Sequence, residues 1–510
     1  MAKAPKAEPE GGTRGAPQWG RAARIACFLA LAGVLVLRDP TLFTAPRFFA
    51  EEGVFYFRNA ATGDAWAALS QTPKGYLSLF ANVAAWLAAL APLHAAPLVT
   101  TLFAAAVQLA ILAFVVWGPL PFLRSTPARL LIGLALLYIG QADAIWLNSI
   151  SLHAQLPVLT LLILLDRRGH ISRAHTIGTV LLLLFAGLEG VTSCVLVPLF
   201  GWRFWRSRSR LHGLQFAALG AAAALQLALV ASAPGLDDRL HATPDALTRL
   251  AHQALVFPIW RFAPSGLAWW SIALATAVLL VGAWRLRGLR LQLAAYALLI
   301  AVPFALSLNM QGGPRYAYAG AICLVVLQLR LLVTRAAASW LRSLAGALIV
   351  ASFAGGLHGI THEFHANRRA GAASWAAEVE RWQADPYHWL VVEPWTPLLP
   401  RPAWRFQLRP EVHAASPAAW DPDQLFLPVV TIPAAGNYAL SLRRLQALDS
   451  SADTWITASI ERVPDDWPAV ATVSADLREL SFSTPEGQHH TFEILERQGP
   501  GRFRLRHRRP

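Results

Sequence analysis

Two adjacent carboxylates, Glu51 and Glu52, stand in the stretch Pro46-Arg47-Phe48-Phe49-Ala50-Glu51-Glu52-Gly53-Val54-Phe55-Tyr56-Phe57-Arg58. Like charges this close repel each other, and the surrounding aromatic residues place both near hydrocarbon. Both effects raise the pKa of one member, which suits it to general-base work. Glu52 is the first choice for that role, because the following Gly53 leaves room for an acceptor to approach. Glu51 would then support it by holding acceptor, metal or a backbone amide. The competing reading is a solvated acidic turn.

Other polar residues sit at the ends of apolar runs. Asp143, Asn148, His153 and Gln155 flank two of them and are candidates for an acceptor or metal. Capping and interhelical hydrogen bonds are the plainer account of all four. Glu189 is ionisable inside an apolar region, and so a functional candidate by default. Asp237-Asp238 follow Pro234-Gly235-Leu236 and read as a turn. His358, His362 and His365 share i, i+4, i+7 spacing, with Glu363 beside them. This is not H-E-x-x-H, because Gly359 occupies the glutamate position, so an interfacial stripe is expected and no metal site is assigned.

These residues must be held by elements that composition already defines. Among 510 residues 55% are hydrophobic and 15% charged, with a mean hydropathy of +0.41. That is too little charge to cover a soluble protein of this size. The apolar residues fall in runs long enough to cross about 30 Å of hydrocarbon. The net charge of +14 lies in short arginine bursts between those runs, which is the positive-inside pattern and argues against a nucleic-acid partner. Cys27, Cys194 and Cys323 all lie in apolar runs, against a disulfide framework or a zinc site. Sparse lysine beside abundant arginine and alanine suggests a GC-rich bacterial gene.

The fold class predicted is an α-helical polytopic membrane protein of about eleven membrane helices, followed by a mostly β extracytoplasmic domain. Residues 1–21 form a polar cytoplasmic N-terminus with Lys3, Lys6, Arg14 and Arg21. The first apolar run lacks a small-residue cleavage site and reads as an uncleaved helix. Residues 38–94 then form a large outer loop that contains an interfacial helix at Tyr76–Leu90. Further crossings are expected at 95–117, 129–146, 154–166, 212–232, 266–284, 291–308, 316–334 and 343–360. Residues 176–202 lie between two inner arginine bursts and are too few for two full spans. A pair of short or re-entrant helices meeting at Glu189-Gly190 resolves this. The segment 22–361 is then the membrane domain. Residues 362–510 lie outside, opening with an amphipathic helix at Trp375–Trp382 and turning to alternating stretches such as Trp455–Ile460.

An acidic pair in the first outer loop, the Pro73-Lys74-Gly75-Tyr76 start of the helix behind it and a C-terminal outer domain together resemble the GT-C superfamily. These are integral-membrane glycosyltransferases, such as protein O-mannosyltransferases and the aminoarabinose transferases of lipid A. The resemblance covers the architecture of residues 22–360. It implies that Glu51-Glu52 match the family's acidic pair, and that Pro73–Tyr76 match its juxtamembrane start. It also implies that Arg315-Tyr316 form a basic and aromatic site for the lipid phosphate. Family members usually carry an aspartate in the pair, whereas this chain has two glutamates.

The resemblance implies transfer of a sugar from a polyprenyl-phosphate donor to a glycan, lipid or protein acceptor, on the outer face of a bacterial inner membrane. Cofactors are not specified by the residues, and a divalent metal is compatible with them. A glutamate would take the acceptor's proton, and a guanidinium would stabilise the leaving phosphate. Arg315 is the first choice for the phosphate. Arg47, Arg58 and Lys74 come second, since each is also placed to snorkel to lipid headgroups. The alternatives are a flippase or transporter of a lipid-linked glycan and a non-catalytic protein of envelope assembly. A transporter would favour related halves or charges deep in its helices.

Overall fold

The computed structural model describes residues 20–118, 120, 123, 125–139, 145–166, 172–233, 245–260, 266–306, 314–362, 374–384, 390–392, 405–406 and 408, and the strands given below. The chain is helical in class. Among the described residues, five helices are long and apolar enough to cross a membrane: Ala96–Trp117, Arg210–Ser232, Leu267–Trp284, Arg287–Ala305 and Ser339–His358. Shorter apolar helices include Leu79–Ala89, Pro127–Tyr138, Ser149–Leu164, Arg173–Leu188 and Tyr318–Val333.

Two compact units result. The first comprises Met1–Pro40, Ala104–Leu147 and Ser151–Gly359; the second comprises Thr41–Phe103, Asn148–Ile150 and Ile360–Pro510. In the first unit the most enclosed helices are Leu152–Leu164 and Tyr318–Val333, whose described side chains are buried almost throughout. A helix apolar on every side belongs in the interior of a bundle. Helix Arg21–Leu37 packs where Gly133 leaves space, since a Cβ there would meet the Leu31 side chain. Tyr318 donates its hydroxyl to the Leu136 carbonyl at 2.7 Å, tying two helices together.

Arginines in this unit cap helix ends. Arg129 donates from Nη1 to the carbonyls of Val115, Val116 and Gly118, and Arg203 to those of Ile163 and Leu164. Terminal carbonyls lack an intrahelical partner, and a cation there also complements the helix dipole. Arg38 lies 4.0 Å over the Trp146 ring and donates to the Leu137 carbonyl. The helix expected over 129–146 stops at Tyr138, and Ile139 is extended. Helix Arg173–Leu188 ends at Glu189, Gly190 turns with φ 116°, and helices resume at Val191–Cys194 and Val197–Ser207. That φ is open to glycine and strained for other residues.

The second unit holds the segment expected to be the outer loop. It folds as short helices: Thr41–Thr44, a π-helix at Glu52–Phe57, then Arg58–Thr62, Ala65–Ser70 and Leu79–Ala89. Phe48 and Phe57 pack at 4.4 Å between ring centroids, with Trp375 and Phe406 edge-on to Phe48. Helix Trp375–Ala384 and the strand pair β1 (Leu390–Val391) and β2 (Arg405–Phe406) thus share a core with Val54, Ala88 and Ala96. Further along lie β3 (Gln424–Ile432), β4 (Gly436–Arg443), β5 (Trp455–Arg462), β6 (Ala469–Val473), β7 (Glu479–Ser483), β8 (His489–Gly499) and β9 (Arg502–Arg508). They pair in the order β3-β4-β5-β9-β8-β7-β6, with β6 returning parallel to β3 to close the ring.

Candidate active site

The local geometry begins at Ala50, whose φ of 47° is left-handed. A non-glycine residue pays about 1–2 kcal/mol for that conformation. The strained turn lets the Glu52 backbone N–H reach the Phe49 carbonyl at 2.9 Å and starts the six-residue π-helix Glu52–Phe57. Segments of π-helix are rare and concentrate at functional sites, as does backbone strain. The sequence carried no signal for either feature.

The two glutamates have opposite surroundings. Glu52 is only 2% exposed. Its Oε1 accepts from the Ser149 N–H at 2.9 Å and the Ser149 hydroxyl at 2.6 Å, and its Oε2 from the Phe49 N–H at 3.2 Å. Thr100 contacts the carboxyl as well. Burial raises the Glu52 pKa, and the hydrogen bonds from Ser149, Phe49 and Thr100 only partly oppose the shift.

Glu51 sits at the edge. Its Oε1 pairs with Lys74 Nζ at 3.2 Å, with side chains 16% and 22% exposed respectively. The acidic pair and the Pro73-Lys74 turn are therefore brought together. Gly75, with φ 76°, lets the chain reverse directly after Lys74. Tyr76 is half-buried beside it.

The expected space beside Gly53 is filled. A Cβ at Gly53 would lie 2.8 Å from Val392 Cγ1, 3.0 Å from Phe48 Cβ and 3.1 Å from Phe406 Cε1. The glycine admits the C-terminal strands, and no acceptor can enter there. Arg47 is also absorbed into the structure. It is buried, donates to the Val391 carbonyl from Nε at 3.1 Å and from Nη2 at 2.8 Å, and lies 3.9 Å from Glu378 Oε1. Arg47, a second choice for the phosphate and otherwise expected to snorkel, forms a buried link instead, because Val391 and the buried Glu378 supply its partners.

Arg58 behaves differently. It opens helix Arg58–Thr62 half-buried, and the one hydrogen bond of its side chain among the described residues runs from Nη2 to Asn59 Oδ1 at 3.5 Å. Among the described residues its Nε is buried without a hydrogen-bond partner, and burial lowers its pKa. Asn59 Nδ2 donates to Gln71 Oε1 at 3.1 Å, and Gln71 Nε2 donates to the carbonyls of Tyr56 and Ala68. The turn from Gln71 to Lys74 thus runs alongside the helix that carries Glu51 and Arg58.

Asn148 is buried next to Ser149, and His153 is half-buried in helix Leu152–Leu164, where its carbonyl accepts from Thr192. Gln155 is buried and donates to the Ile145 carbonyl at 3.1 Å, an interhelical bond of the plain kind. Glu189 is wholly buried at the helix break. Arg315 and Tyr316 lie in the 3-10 turn Pro314–Ala317, with Tyr316 half-buried. The Arg315 side chain, Asp143, Asp237, Asp238, Glu363 and His365 lie outside the described residues. Among the described residues no cluster of three or more His, Cys, Asp or Glu could hold a metal.

Sequence reasoning missed Ser149, Asn59, Gln71 and Glu378. Each is an ordinary polar residue whose partner is set by folding, and none carries a local motif.

This arrangement belongs to a helical membrane protein with a strained acidic turn in its second unit. No family model, no curated protein and no solved structure matches the chain.

Proposed function

We propose that this protein is a membrane glycosyltransferase of the GT-C kind, moving a sugar from a polyprenyl-phosphate donor to an envelope glycan, lipid or protein acceptor. The observation that supports this reading is the Glu51–Lys74 pair, held partly exposed between a strained, π-helical turn and the Pro73-Lys74-Gly75-Tyr76 segment. In the same reading the chain crosses a bacterial inner membrane about eleven times, with residues 362–510 a largely β domain on the outer side.

The base falls to Glu51 and not Glu52, because the Glu52 oxygens are buried and occupied. An acceptor hydroxyl attacks the anomeric carbon and gives its proton to Glu51. The bond from the sugar to the phosphate oxygen breaks, and the electron pair leaves with the polyprenyl phosphate. Lys74 holds the Glu51 carboxylate in place until the acceptor arrives. Glu52 anchors the turn from below.

The test is complementation of a deletion strain that has lost a surface glycan. Glu51→Gln should lower transfer by about 10²- to 10⁴-fold, the usual worth of a general base, with normal protein in the membrane. Wild-type transfer by Glu51→Gln, Glu52→Gln and the double variant would remove the reading.

A second reading, a non-catalytic protein of envelope assembly, is favoured by one observation. Glu52 and Arg47, both candidate site residues, are committed to internal contacts. Full complementation by the double glutamine variant would support it.

A further inference from the structure

Helix Val197–Ser207 has two unlike faces. On one, Phe200 is buried, Phe204 stacks on Phe216 at 6.4 Å between centroids, and Arg203 donates to the Ile163 and Leu164 carbonyls. On the other, Trp202 and Trp205 are 45% and 63% exposed, and the Arg206 guanidinium lies 5.5 Å over the Trp202 ring. An indole left bare in water forfeits its burial, whereas the boundary between headgroups and acyl chains accommodates both its apolar body and its N–H. A basic loop alone marks only sidedness. This one adds a stacked Trp–Arg face.

The turn that follows presents more charge. Arg208 closes the helix at φ 51°, a left-handed conformation that glycine usually supplies at this position. The Ser207 hydroxyl meets His212 Nδ1 at 2.5 Å and accepts from the Ser209 N–H at 3.3 Å, so the turn is pinned from both sides. Gly201 admits the Phe216 ring and Gly213 the Phe204 ring, since a Cβ at either would meet them at 3.0 and 3.1 Å. The helix is thereby locked against Arg210–Ser232, which is long and apolar enough to cross a membrane. Arg206, Arg208 and Arg210 are exposed, and their side chains make no hydrogen bond or ion pair among the described residues. The flanking sequence offers no counter-charge either. From Gly190 to Leu236 it contains no Asp or Glu.

We propose that Trp202, Trp205, Arg206, Arg208 and Arg210 form a binding face for an anionic phospholipid, with the indoles against its acyl chains and the guanidinium groups on its headgroup phosphate. An anionic headgroup supplies the counter-charge that the chain lacks, whereas the choline of a zwitterionic lipid brings a cation back to the arginines. A soluble acidic partner would satisfy the arginines but leave two indoles in water, and a lipid covers both. The inference does not depend on transferase activity, and it holds for either leaflet.

In the experiment the full chain in detergent is titrated with dioleoyl phosphatidylglycerol or dioleoyl phosphatidylcholine, and bound lipids are counted by native mass spectrometry. The first phosphatidylglycerol should bind about tenfold or more tightly than the first phosphatidylcholine, given three arginines at headgroup level. The triple variant Arg206→Gln, Arg208→Gln, Arg210→Gln should lose that preference. A charge-matched control, Arg285→Gln, Arg287→Gln, Arg335→Gln, removes three other exposed arginines and should keep it. Trp202→Ala with Trp205→Ala should weaken both lipids, because each loses the contact with its chains. Arg208→Gly separates binding from folding. It relieves the left-handed turn, so the variant should fold at least as well, and it should still lower the preference about threefold or more. Equal binding of the two lipids by wild type would overturn the proposal, as would equal loss of preference in the two triple variants or an undiminished preference in Arg208→Gly. Competition by inorganic phosphate at the lipid's own concentration would reduce the face to a simple anion site and overturn the lipid assignment. So would Arg206-dependent binding of an acidic peptide or a single-stranded oligonucleotide without any preference between the lipids.

Discussion

Ser149 donates both its backbone N–H and its hydroxyl to one oxygen of Glu52, at 2.9 and 2.6 Å, across 97 residues of sequence. A buried carboxyl with two donors from one residue behaves as a rivet. Ser149→Ala removes the shorter bond and leaves a buried acceptor undersatisfied. The expected loss is about 1–3 kcal/mol of stability. Thermal unfolding in detergent checks this, and an unchanged midpoint would show that the turn is held by other contacts.

Glu52 also predicts how stability depends on pH. Its pKa in the folded chain is raised above the ordinary 4.5, chiefly by burial. The folded state therefore binds the proton more tightly than the unfolded state does. The Glu52 contribution is fully present below about pH 4.5 and is lost as pH rises through the folded-state pKa. Glu52→Gln should remove that pH dependence, so wild type should gain stability relative to the variant as pH falls. A wild type that loses stability relative to the variant toward low pH would exclude a raised pKa.

Gly53 offers a steric prediction. A methyl group at this position would press on Val392, Phe48 and Phe406 at 2.8–3.1 Å, none of them an easily displaced chain end. Gly53→Ala should cost about 1–3 kcal/mol, as overpacked cores do. By contrast, a Cβ at Gly33 in helix Arg21–Leu37 meets nothing within 4 Å, so Gly33→Ala should be neutral or mildly stabilising. Equal behaviour of the two alanine variants in a thermal-shift assay would contradict the packing around Gly53.

Much of this could be read from local chemistry. The acidic pair and the Pro73-Lys74 turn carry their own signals, and the structure joins them through Glu51 and Lys74. The break at Glu189-Gly190 follows from a shortage of residues between two arginine bursts. What could not be read is which glutamate is enclosed. Adjacent carboxylates look alike in sequence, and the partner that separates them, Ser149, lies on a distant stretch. The fate of Arg47 was hidden for the same reason, since its carbonyl acceptor is 344 residues away. Gly53 was read as room for a substrate, but folding uses the space for Val392 and Phe406.

The Arg47 link predicts graded damage. Glu378 accepts from the Val391 N–H at 3.2 Å while Arg47 donates to the Val391 carbonyl, so the three residues close a buried ring. Glu378→Leu strands a buried guanidinium and a backbone N–H, and should cost about 3–5 kcal/mol. Glu378→Gln keeps an acceptor for Val391 and should cost about 1–3 kcal/mol. Proteolysis at the C-terminal side of helix Trp375–Ala384 should accelerate in the same order. Identical stability of the two variants would mean that the charge of Glu378 contributes nothing.

The last prediction concerns sidedness, which the helix boundaries make countable. Reporter fusions at Arg208, Leu289 and Ala337 should report cytoplasm, and fusions at Asp64, Asp245 and Ser450 should report the outside. Lys3, Lys6, Arg14, Arg21 and Arg24 predict an inside N-terminus, from which helix Arg21–Leu37 would lead outward. Helix Ala96–Trp117 would lead back to the basic stretch that contains Arg129, and the same count then keeps Leu79–Ala89 on the outer surface. The weak points are short helices. Thr126–Tyr138 and Leu152–Leu164 have 13 residues each and Arg173–Leu188 has 16, or about 20–24 Å of helix against about 30 Å of hydrocarbon. Such helices cross by thinning the bilayer or by continuing as irregular chain that protein shields, and parity is unchanged either way. The arginines Arg203, Arg206, Arg208 and Arg210 bracket the junction between helices Val197–Ser207 and Arg210–Ser232, and their charge predicts an inside junction. A cytoplasmic signal at Ser450 together with a cytoplasmic Arg208 would place the miscount after residue 210. An external signal at Arg208 would place it at the Glu189-Gly190 break, and would turn the pair of short helices into a single crossing.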